Sequence, residues 1–251
     1  MKSWWSWVRP QPALIEEFRW QRLIGSSALF ERLGVSRLER LREHVRLFLA
    51  DKRFHGAADH VVEPVQQLAI AALACIPVHR LGYRALRGWR DVIVYPAGFR
   101  SRRDHHDEST GVVTEIEEDM IGEAWDRGPV VLSWADVAED LASPFDGLNV
   151  VIHEIAHKLD MLDGSVNGTP KLPSSIPRKE WVATMQQGFN GLVRMVQNNI
   201  ETPIDPYAAE SVDEFFAVIT EYHHSAPEQL ARCMPEVAAL MDRYYGPFDS
   251  P

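Results

Sequence analysis

Apolar residues recur at helical spacing along most of the chain, and the period shortens to that of strands only near its middle. Residues 13–20 and 33–50 carry the first helical pattern. Leu38, Leu41, Val45, Leu47, Phe48 and Leu49 mark one side, and Glu and Arg alternate on a solvated opposite side. Residues 62–74 predict a further helix, with Pro64 in its first turn and Pro77 closing it. Beyond Asp91, residues 92–95 and 128–134 are apolar and β-rich, and 111–117 partly alternates as a third strand would. Residues 100–109 are polar and read as a loop, whose His105 and His106 diverge as sequence neighbours and are expected to be solvated. A buried helix follows, capped by Asp146 or Asn149 and ended by Gly164. Residues 165–177 are rich in turn formers and predict an irregular loop, and 180–198, 211–223 and 227–245 predict helices. Helices, a small sheet, then more helices is the order of an α+β protein that is mostly helical.

Charge and cysteine usage narrow the picture. The formal net charge of −10 argues against direct nucleic-acid binding, which needs a basic surface. Cys75 and Cys233 are far apart and do not suggest a disulfide scaffold, so a reducing cytoplasm is expected. The apolar run at 68–78 is too short for a membrane span and is broken by Pro77, so a soluble protein is expected. The tryptophans at 4, 5 and 7 read as core or interface residues, since no amphipathic helix with a basic face follows them.

The chemistry concentrates in the buried helix. His153-Glu154-Ile155-Ala156-His157 has the H-E-x-x-H spacing, which puts both imidazoles on one face a turn apart. Such a pair can hold Zn2+, with Glu154 beside a water as general base for peptide hydrolysis. The competing reading is a chance match on a solvated helix. Val150, Val151, Ile152, Ile155, Ala156, Leu159 and Leu162 argue against it, because they are expected to bury the helix and make unpartnered polar groups there costly. Asp160 is placed to accept the free ring N–H of a ligand histidine.

A catalytic zinc takes a third protein ligand. Asp163, six residues after His157, is one candidate, although Asp160 stands where a turn glycine would be wanted. Glu214, at the edge of the apolar stripe Phe215-Phe216-Ala217-Val218, is the better one. Spacing leaves two readings of it open, a ligand or the closing residue of a capping box begun by Ser211. One or both of His223 and His224 are expected to face solvent. Tyr207, in the loop before Glu214, is the candidate donor to a developing oxyanion, the alternative being a turn residue packed beside Pro206. Residues 130–134 are expected to offer a sheet edge to an extended peptide substrate.

Taken together, Asn149-Val-Val-Ile-His-Glu-Ile-Ala-His-Lys-Leu-Asp160, Ile204-Asp-Pro-Tyr-Ala-Ala209 and Glu214-Phe-Phe-Ala-Val218 resemble the Mlc titration factor A family of bacterial zinc metallopeptidases. Residues 92–96 and 128–134 resemble its segments too, so the similarity covers most of the chain. The resemblance implies a gluzincin-like core with His153, His157 and Glu214 as ligands and Glu154 as base. It also implies cytoplasmic, aminopeptidase-type activity and a partner, the transcriptional repressor Mlc. Residues 1–90 would then be a helical region packed on a zincin-like catalytic core of residues 91–251, in one compact unit. The rival is a non-catalytic protein that sequesters a regulator and holds zinc structurally, in a site closed by four protein ligands.

Overall fold

The computed structural model describes residues 12–97 and 128–247. The helical pattern of residues 13–50 resolves into three pieces, α1 (Glu17–Ile24), α2 (Ala28–Glu31) and α3 (Val35–Asp51). Ser27 starts α2 afresh by accepting the Leu29 N–H at 3.4 Å. Directly after α3 comes β1 (Arg53–Gly56), which the apolar pattern did not announce. Its side chains are mostly exposed, so no alternation marks it. It is a strand because its backbone pairs in parallel with β2 (Asp91–Tyr95), Arg53 opposite Asp91. Between them run α4 (Pro64–Cys75) and a 3-10 turn, Tyr83–Leu86. The third strand of the sheet, β3 (Val130–Ser133), pairs in parallel with β2, Val92 opposite Val130. Among the described residues the strand order is β1-β2-β3, which leaves β3 at an edge.

Lys52 secures the start of the sheet. Its buried ammonium donates to the carbonyls of Leu86 and Trp89, at 2.5 and 2.8 Å, and pairs with Asp51 at 3.0 Å. The Trp89 ring centroid lies 3.9 Å away.

Beyond β3 the chain is helical. Ser133 both ends the strand and caps α5 (Trp134–Ala142), a helix hidden in the sequence by the apolar run that leads into it. Then follow α6 (Val150–Asp160), α7 (Arg178–Gln197), α8 (Val212–Ser225), α9 (Pro227–Cys233) and α10 (Pro235–Tyr245). The single helix expected at 227–245 is therefore two, because Pro235 lacks the N–H that would continue the ladder and opens a new helix instead. Helix α6 packs against β3, α4 and, most extensively, α8. Trp181 of α7 is fully enclosed, against Phe216 of α8 and Tyr244 of α10. No helix among the described residues is long and apolar enough to cross a membrane. The strand expected at 111–117, the His105–His106 pair and the tryptophans at 4, 5 and 7 lie outside the described residues.

Candidate metal centre

Helix α6 is fixed at its start by three acceptors. The Asn149 side chain takes the Ile152 N–H at 3.0 Å, Asp140 Oδ2 takes that of Val150 at 2.7 Å, and Glu221 Oε2 takes that of Asn149. Asp146, the other candidate cap, instead bonds the Leu148 N–H. The chain enters through Gly147 at φ +93°, where a Cβ would fall 2.5 Å from the Tyr222 ring. The helix end continues as a 3-10 turn, Met161–Asp163, which Gly164 stops in the left-handed region.

From α6, the buried rings of His153 and His157 bring their Nε2 atoms to 3.1 Å of each other. From α8, Glu214 Oε2 lies 3.0 Å from His153 Nε2 and 3.3 Å from His157 Nε2. This geometry bears on both readings of Glu214. Ser211 Oγ accepts its backbone N–H at 3.3 Å, while its carboxylate turns away from the helix start toward the imidazoles.

These three side chains fit a cation. The His153 Nδ1–H donates to Glu221 Oε1 at 2.7 Å, which leaves Nε2 of the neutral ring with a lone pair aimed at a carboxylate oxygen. Glu214 Oε2 is buried with no hydrogen bond of acceptable geometry. One ligand atom from each of His153, His157 and Glu214 falls within 4.8 Å of the others, the arrangement a divalent ion bridges. Proton affinities agree. Burial lowers that of His153, yet Glu221 and the contacts with Glu214 raise its pKa from 6.5 to about 10. Burial raises the Glu214 carboxyl, yet His153 and His157 hold it well below the usual carboxylate range. The pocket demands positive charge at its centre.

The chain matches the glucose-regulated metallo-peptidase M90 family over residues 2–246. It is a member of the M90 family. It is 32% identical over 248 residues to Mlc titration factor A of Pectobacterium atrosepticum, covering 96% of this chain and 90% of that protein. The protein of the same name from Klebsiella pneumoniae (strain ATCC 700721 / MGH 78578) is 32% identical over 247 residues, covering 96% and 89%. An uncharacterised Synechocystis protein is 36% identical over 230 residues, covering 90% and 82%. Membership makes the chain a metallopeptidase and implies a metal ion, for which His153, His157 and Glu214 form the fitting cluster among the described residues.

Around this M90 site, Glu154 is half-buried on α6 between the two histidines. Tyr207 sits in a 3-10 turn, Pro206–Ala209, with its ring centroid 6.1 Å from that of His153. Asp205 orients the turn, accepting the Tyr207 N–H at 2.9 Å and donating its own N–H to Tyr222 Oη at 3.2 Å.

Three expectations are corrected. Asp160 does not serve His157: its Oδ2 takes the N–H groups of Asn167 and Gly168, both at 2.8 Å, and so ties the following loop to α6. Asp163 is no ligand, its Oδ1 being engaged by the backbone and hydroxyl of Ser165. His223 and His224 are buried rather than solvated, with His223 Nε2 3.1 Å from the Gly246 carbonyl. The residue that spacing missed is Glu221. It is wholly enclosed and seven residues after Glu214, on nearly the same face of α8, which is the one signal that pointed to it.

Proposed function

We propose that this metallopeptidase binds Zn2+ through His153, His157 and Glu214 in a gluzincin-like core and cleaves peptide bonds in the manner of an aminopeptidase. The observation that supports this best is the convergence of two imidazoles and one carboxylate on a single point. When bound, the ion supplies Lewis acidity, acidifying water and polarising a carbonyl. Glu154 takes the proton of the attacking water and passes it to the leaving amine. The Tyr207 hydroxyl donates to the carbonyl oxygen as negative charge grows there. The peptide lies along the β3 edge, whose backbone groups add it as an extra strand.

Three ligands leave a coordination position for water, whereas a structural site would be closed by a fourth protein ligand; the cluster has three donors among the described residues. The relatives' name, Mlc titration factor A, supports a second role on the same chain, binding an Mlc-type repressor. The cytoplasm is the proposed location, in keeping with Cys75 and Cys233 both being free thiols.

The test combines metal analysis of the purified chain with a panel of chromogenic aminoacyl and peptide substrates, with and without chelator. Glu154→Gln should retain the metal and lose roughly 10²–10⁴-fold in kcat. Full activity in that variant removes the assigned base, and a wild-type protein devoid of transition metal removes the reading. A pull-down of an Mlc-type repressor with the same variant should succeed, since binding does not require turnover.

A further inference from the structure

Helix α8 touches His153 at both ring nitrogens. Glu214 Oε2 lies 3.0 Å from Nε2, and Glu221 Oε1 lies 2.7 Å from Nδ1. Seven residues are close to two full turns, so both side chains face α6 from backbone positions about 10 Å apart along the axis, and the imidazole lies between their carboxylates. The second oxygen of Glu221 holds the Asn149 N–H, at the cap of the helix that carries His153. One enclosed carboxylate therefore fixes both where α6 begins and how the ring three residues further on is turned and protonated. Histidine can ligate through Nε2 only when that nitrogen is bare, which requires the proton on Nδ1.

We infer that Glu221 is the positioning residue of the metal site: it holds His153 in the Nδ1–H tautomer, with Nε2 presented to the ion. The inference rests on the metal reading above. A glutamine at 221 has the shape but not the acceptors. With its carbonyl on His153, its NH2 confronts the Asn149 N–H. With its carbonyl on Asn149, its NH2 faces Nδ1 and drives the ring proton to Nε2, where it blocks the ligand.

The experiment measures Zn2+ affinity of the full chain by chelator competition for wild type, Glu221→Gln and Asp140→Asn. Asp140→Asn is the control, because Asp140 anchors the same helix start through the Val150 N–H, as Glu221 does through that of Asn149. Glu221→Gln should weaken zinc binding about 10–100-fold, and Asp140→Asn should stay within about twofold of wild type. A Glu221→Gln affinity within twofold of wild type overturns the positioning role while leaving the metal site standing. Equal losses in both variants also overturn it, reducing Glu221 to a helix anchor. A wild type that fails to bind zinc sinks the metal reading itself and this inference with it. Should Glu221→Gln not fold, imidazole 15N spectra of the zinc-loaded wild type decide. A metal-shifted Nε2 and a protonated Nδ1 at His153 support the assignment, and zinc on Nδ1 overturns it.

Discussion

Gly168 shows how much a single position can hold. Its φ is +67°, and an added Cβ would fall 2.4 Å from the Val212 carbonyl oxygen at the start of α8. Its N–H goes to Asp160 at the end of α6, and its carbonyl takes the Trp181 indole N–H of α7 at 2.9 Å. Three helices meet on one residue without a side chain. Gly168→Ala should cost about 1–3 kcal/mol, from backbone strain and forced separation of α6 from α8. Urea unfolding and zinc competition would read it, and wild-type values in both would refute the account. At this scale the sequence was legible wherever chemistry follows spacing: His153, Glu154 and His157 sit on one helix by a fixed rule. Glu221 and the true role of Asp160 were not, because each depends on which groups another element brings alongside, and spacing within one helix does not report that.

Among the elements, α6 matters most, and its N-terminus is its vulnerable point. Its first N–H groups are met by side chains from three places in the chain: Asp140, Asn149 and Glu221. Asn149→Ala removes the cap on Ile152 and should cost about 1 kcal/mol of stability. An unchanged melting temperature would contradict that. The expected helices at 62–74, 180–198 and 211–223 emerge within a few residues, since each carries a long amphipathic or apolar pattern with clear ends. The elements that stayed hidden are those whose cause is not periodicity. β1 is an exposed strand made by pairing with β2, and α5 starts inside what reads as a continuing strand.

For the molecule as a whole, acid should act first where α8 ends against α10. Burial lowers the His223 pKa from 6.5 to about 4; the bond to the Gly246 carbonyl opposes this and Arg37 adds to it. Asp242 Oδ1 stands 3.7 Å from its Nδ1, on the partly exposed side of α10. His224 is also held well below the usual imidazole range by burial, His223, Arg37 and His79. Because the folded pKa is the lower one, the unfolded chain takes up protons first as pH falls. Stability present above pH 6.5 should therefore drain away between 6.5 and about 4, by roughly 3 kcal/mol for His223. Urea unfolding at intervals across that range would show it, and His223→Gln should flatten the slope. A level profile in the wild type would disprove the assignment. The two carboxylates on α8 carry a different implication, for how this chain tolerates change in length. Inserting or deleting one residue between Glu214 and Glu221 would swing one of them by about 100° around the helix, leaving both acids in the sequence and neither arrangement intact. In that interval the count of residues is as binding a constraint as their identity.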